Sequence, residues 1–121
     1  MLNIKKTLTK LLTAEIVTIS QASDFITLSS GFSAPYANIN LKKCGKIIQG
    51  SFYLSRNVAW SAGSVVNIGT LKPGFRPSTT ALVASDAFLG AVGTDGNIFL
   101  KPITAITANT NQNVVIFHIT A

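Results

Sequence analysis

The stretch Leu71-Lys72-Pro73-Gly74-Phe75-Arg76-Pro77 limits the possible folds of this chain more than any other. Pro73 pre-sets φ for the second position of a turn, and Gly74 supplies the positive φ that a type II turn needs next. Pro77 keeps Arg76 out of helical geometry and the backbone extended, so Phe75 leaves the turn toward a core. Strand-like runs lie on both sides of this reversal. A chain punctuated this way in its middle is built from antiparallel strands rather than from helices packed on a parallel sheet.

The remaining turn signals agree. Lys43-Cys44-Gly45-Lys46 reads as a hairpin turn with Gly45 at positive φ, and Asp95-Gly96 is the strongest hairpin signal, suited to a type I′ turn. Between turns, residues 46–55 alternate most clearly: Ile48, Gly50, Phe52 and Leu54 share one face, and Ile47, Gln49, Ser51 and Tyr53 the other. Gly50 is expected to make room for a bulky neighbour across the sheet. Residues 25–28, 36–41, 64–70 and 98–101 also read as strands. The apolar run 80–92, broken at Asp86, is either one bulged strand or two short ones. Residues 114–119 are apolar on both faces, so Val115, Phe117 and Ile119 are expected to meet a neighbouring subunit while the other face enters the core. The fold class is all-β, an antiparallel sandwich or barrel; an immunoglobulin-type sandwich is disfavoured because paired cysteines flanking a tryptophan are missing.

The N-terminal segment has a different period. Ile4, Leu8, Leu11 and Leu12 fall on one face of a short helix, with Lys5, Lys6 and Lys10 elsewhere around it. About three turns of helix are marginal alone, so this face is expected to pack on its own domain or on copies of itself. Leu8 and Leu11 are therefore candidate interface residues. The expected organisation is an attachment segment over residues 1–24 and a β-domain over residues 25–121, one domain's worth of chain. Lys5 and Lys6 ahead of Leu11 and Leu12 imitate a signal peptide, but the apolar run is broken by Thr7, Thr9, Lys10 and Glu15. The protein is expected to be made in the cytosol without membrane insertion.

Charge and side-chain inventory narrow the chemistry. The formal net charge is +6 with only 12% charged residues, and six of the eight lysines precede residue 47. The aromatics Phe52, Phe75, Phe99 and Phe117 lie away from that lysine cluster, so the interleaving of cations and stacking platforms typical of a nucleic-acid groove is missing. A single-stranded nucleic-acid-binding barrel is the third-ranked reading. Cys44 is the only cysteine and His118 the only histidine, too few for a zinc site and without a nucleophile–base pairing, so no metal and no cofactor are expected. The only carboxylates are Glu15, Asp24, Asp86 and Asp95, and Asp95 is explained by its turn; a glycosidase needs two facing acids. The chain is not expected to be an enzyme.

One further pattern carries a resemblance. Ile26-Thr27-Leu28, Gly31-Phe32, Tyr36, Leu41-Lys42-Lys43 with Gly45, Ile48-Gln49-Gly50-Ser51-Phe52, Gly63, the Leu71 to Pro77 stretch and Asp95-Gly96-Asn97-Ile98, closed by a terminal strand, resemble the C-terminal head domains of bacteriophage and prophage tail-fibre and receptor-binding (baseplate) proteins. The resemblance implies a jelly-roll-like β-sandwich, a homotrimer, residence in the virion tail or baseplate, contact with other virion proteins, and adhesion to a host-surface glycan or protein. It marks Pro73, Gly74, Arg76, Pro77, Asp95 and Gly96 as structural. The alternative within the same family is a purely structural baseplate or decoration protein making only protein contacts.

For adhesion, Trp60 is the first candidate, since an exposed indole stacks on the C–H face of a sugar. Arg56 beside it and Tyr53 on the outer face of its strand would complete the site. Structural readings stand beside these: Trp60 in the core or a subunit contact, Tyr53 at the surface or in an interface, His118 as a core or interface residue, and Arg76 bonded to carbonyls or paired with an acid across a subunit boundary.

Overall fold

The computed structural model describes residues 16–34, 39–83 and 85–121. The helix expected over residues 4–12, with Leu8 and Leu11, lies outside the described residues, as does Tyr36. The elements in order are β1 (Ile16–Ile19), a 3₁₀ turn (Ala22–Asp24), β2 (Ile26–Leu28), β3 (Phe32–Ser33), β4 (Asn40–Cys44), β5 (Ile47–Arg56), β6 (Val66–Leu71), β7 (Ala81–Val83), β8 (Phe88–Val92), β9 (Asn97–Pro102) and β10 (Gln112–Ile119). The fold is all-β, with two antiparallel sheets. The first runs β1-β4-β5-β10, with β3 pairing the end of β5; the second runs β2-β6-β9-β8-β7. The chain changes sheet after β1, β2, β5 and β9, while β7-β8-β9 is a plain meander within the second sheet. β1 pairs with β4 over Ile16–Ile19, so these residues, which precede Phe25, belong to the first sheet.

Strand alternation sorts side chains as the sequence pattern requires. On β5, Ile48, Phe52 and Leu54 are buried while Ile47, Gln49 and Tyr53 are turned outward. On β10, Val114, Ile116 and His118 point in, and Phe117 and Ile119 point out. The inner faces of both sheets share one core, in which Phe25 and Phe52 meet edge to face at 5.4 Å. Gly50 serves a different purpose from the one expected. Its φ is 133°, and a Cβ there would lie 1.9 Å from the carbonyl oxygen of Asn40, so the backbone of β4, rather than a bulky side chain, occupies the space.

The turns follow their chemistry with one exception. Phe75 N–H donates to the Lys72 carbonyl at 3.0 Å and Gly74 has φ 91°, which is the expected type II turn. Gly45 has φ 59° at the β4–β5 reversal. The Asp95-Gly96 hairpin is not type I′: only Gly96 takes positive φ, at 89°. A three-residue loop forms instead, closed by Gly96 N–H to the Gly93 carbonyl at 2.9 Å and Gly93 N–H to the Asn97 carbonyl at 3.0 Å. Asp95 tips the balance, since its carboxylate accepts from Asn97 N–H at 3.1 Å and from Asn97 Nδ2 at 2.9 Å. The run 80–92 resolves into two strands, with Asp86 in the connection.

Candidate functional site

The Leu71 to Pro77 stretch is a clamp across one end of the two sheets. Leu71 N–H donates to the Gly96 carbonyl at 2.8 Å, and the Leu71 carbonyl accepts from Arg76 Nε at 2.8 Å. Gly96 lacks the Cβ that would stand 2.6 Å from the Leu71 carbonyl and 2.9 Å from Arg76 Nε, so two turns far apart in sequence dock through one glycine. From the first sheet, Lys43 Nζ donates to the Gly74 carbonyl and lies 5.2 Å from the centre of the Phe75 ring. His118 Nε2–H donates to the Phe75 carbonyl at 2.7 Å, which fixes its tautomer and leaves Nδ1 buried without a partner. The chain's last residues join the same clamp: Ser78 N–H donates to Ile119 O at 2.9 Å and Ala121 N–H to Arg76 O at 3.0 Å. Arg76 thus takes the carbonyl-binding role, and His118 the core role.

The sugar-stacking arrangement expected around Trp60 does not form. Trp60 is only 3% exposed. Its ring lies 5.4 Å from Phe32 and 5.0 Å from Phe88, its Nε1–H donates to the Ser64 carbonyl at 3.0 Å, and its backbone pairs with Ile106. Arg56 closes the cluster, its guanidinium 5.3 Å from the centre of the Trp60 ring and 5.4 Å from that of Phe32. A flat apolar ring between two sheets gains more from core burial than from an exposed loop position, and its one polar atom finds a carbonyl there. Tyr53 lies on the outer face of β5, opposite Asn113 and turned away from the core that holds Trp60. Of the three expected ligand residues, the structure brings Arg56 and Trp60 together, as packing, and leaves Tyr53 apart. Cys44 is a free, half-buried thiol on β4.

What the outer surfaces present instead is an apolar row on each sheet. In antiparallel sheets directly paired residues point to the same face, and the register aligns Ile16, Cys44, Ile47 and Ile119 across β1, β4, β5 and β10 of the first sheet, with Phe117 in the next row on β10. On the second sheet it aligns Leu82, Ala91 and Phe99, with Leu89 next along β8; Leu82 is 83% exposed. The sequence reading reached Phe117 and Ile119 but missed the second row. Its signal was present, since residues 81–83 and 88–92 are apolar in both phases of the alternation, as β10 is.

Other chemistry is sparse among the described residues. A shallow polar cleft is lined by Asn40, Lys42, Gln49 and Gly50. No group of three or more His, Cys, Asp or Glu is placed to hold a metal, and no helix is long and apolar enough to cross a membrane. No protein-family model matches the chain, and a search of curated proteins finds none similar to it.

Proposed function

We propose that this chain is a structural subunit of a phage or prophage tail or baseplate, a β-sandwich that works by making protein contacts and assembles as a homotrimer. The observation that carries this reading is the pair of apolar rows on the outer faces of both sheets. Large exposed apolar surface on a small domain marks an interaction face. The likeness of the Leu71 to Pro77 and Asp95-Gly96 elements to phage tail heads supports the virion setting, and the clamp they form suits a scaffold more than a pocket. Adhesion to a host saccharide is the less supported of the two family roles, because the indole that would stack on a sugar is enclosed.

Light scattering on the purified chain tests the reading. The expected mass is three times the 12.8 kDa of the monomer, and Leu82→Asp or Phe99→Asp should lower it to one chain while leaving the circular dichroism unchanged. A wild-type monomer at every accessible concentration would overturn the oligomer.

A further inference from the structure

We infer that the outer face of the first sheet docks an acidic segment of a different protein, one of whose carboxylates enters the cleft between β4 and β5. The inference rests on the reading that this chain works through protein contacts, and it names the partner of one of its two faces. Beside the apolar row that ends at Ile119, the register sets a second row, Thr18, Lys42, Gln49 and Phe117, and then Asn40 opposite Ser51. The cleft lies where these two polar rows meet, is lined by Asn40, Lys42, Gln49 and Gly50, and measures about 200 Å³. That is below the ~300–1,000 Å³ of pockets that enclose a whole small molecule. It takes one side chain of a larger partner.

Charge decides which side chain. Asn40, Lys42 and Gln49 are exposed, while Lys43 turns away to the Gly74 carbonyl, so Lys42 is the one charge that the described strands of this sheet present on the outer face. A carboxylate accepts from the Lys42 ammonium and from the carboxamide NH₂ groups of Asn40 and Gln49. Its single charge matches the single cation, whereas a phosphate brings about −1.5 to −2. A second copy does not supply this carboxylate. Pairing two first sheets face to face sets ammonium against ammonium, and the outer face of the second sheet offers another lysine, Lys101, opposite Leu89. Asp24, Asp86 and Asp95 all lie off the strands. An interface that encloses Lys42 without its counter-charge is strongly disfavoured. The surroundings of the cleft give the partner's class. Phe117, 63% exposed and directly opposite Gln49, stands on one side, and Ile47 lies two residues along β5 in the apolar row. Branched aliphatic side chains gain from covering by other apolar side chains and offer nothing to the hydroxyls of a sugar. The occupant is therefore a polypeptide whose acid is flanked by apolar residues.

Nuclear magnetic resonance titration of the isotope-labelled full chain tests this with two probes, acetyl-Leu-Glu-Leu-amide and acetyl-Leu-Gln-Leu-amide. The glutamate peptide should shift the side-chain amides of Asn40 and Gln49 and the methyls of Ile47, saturating with a Kd of about 1 mM, as suits one small contact. The glutamine peptide should bind roughly tenfold more weakly, the ratio that ~1.4 kcal/mol gives. Lys42→Gln, at an exposed position, should leave the circular dichroism unchanged and make the two peptides equal. Equal binding of both peptides to the wild type would overturn the inference, as would the lack of saturation by about 10 mM. Glucuronate shifting the same amides more tightly than the glutamate peptide would assign the cleft to an acidic sugar instead, and shifts of these signals on dilution without peptide would assign the face to a second copy; either removes the proposal. The oligomer is judged separately: a trimer by light scattering with no peptide response keeps that reading and discards this one.

Discussion

Glycines at positive φ differ sharply in what they hold open, and the difference can be measured. At Gly45 a Cβ would meet nothing within 4 Å, so Gly45→Ala should cost only the left-handed strain of about 1–2 kcal/mol in urea unfolding. At Gly50 the same methyl would strike the Asn40 carbonyl oxygen at 1.9 Å and the Leu41 Cα at 2.9 Å, both backbone atoms of β4, and φ is 133°. Gly50→Ala should therefore cost more than about 3 kcal/mol or prevent folding, a destabilisation in the range reserved for backbone strain in a packed site. The sequence marked Gly50 as a close approach but named the wrong neighbour, because alternation shows which face a residue is on and carries nothing about how near the adjacent backbone runs. Trp60 has the same history. From sequence its loop position left a ligand-facing and a buried place both open, and what decides for burial is the packing of Phe32, Phe88 and the Arg56 guanidinium on its ring, with Ile106 pairing its backbone.

At the level of elements, local chemistry was legible and docking between elements was not. The type II turn at Lys72 to Phe75 and the hairpin at Gly45 follow from residue type alone. That the Asp95-Gly96 loop would rest on Leu71, with Arg76 reaching back to the same residue, depends on two segments more than twenty residues apart by sequence and could not be read from either. The clamp predicts that Arg76→Ala destabilises the fold by about 2 kcal/mol, the cost of leaving the part-buried Leu71 carbonyl without its charged donor. Arg76→Lys should recover little of that, since an ammonium cannot place a donor where Nε sits while its stem keeps the same packing. Urea unfolding of the two variants decides it; a loss below about 0.5 kcal/mol for Arg76→Ala would make the clamp ornamental.

For the molecule as a whole, the sequence specified strands and turns well enough to predict antiparallel sheets, but not which strand lies beside which. Pairing β1 with β4, and therefore including residues 16–24 in the fold, is set by register across the chain. Both sheets feed one core, and Trp60 sits where they meet, between Phe32 of β3 and Phe88 of β8. Unfolding should accordingly be a single transition: tryptophan fluorescence and far-ultraviolet circular dichroism should give the same midpoint in urea. Separate midpoints would mean that the sheets come apart independently.

The partnership of β5 and β10 has a kinetic consequence. The longest strand among the described residues zips against residues made only after the whole second sheet, from Leu54 with Gln112 to Ile47 with Ile119. A pairing that joins such distant positions must close a large loop before it gains a contact, which places folding in the slow regime of high contact order. Until β10 arrives, one edge of β5 is open while the chain emerges, with Ile47 and Tyr53 on its outer face. A nascent chain in this condition is prone to pair with the β5 of a neighbour on the same message. Synthesis rate, and not only the finished architecture, will govern how much native protein a cell obtains.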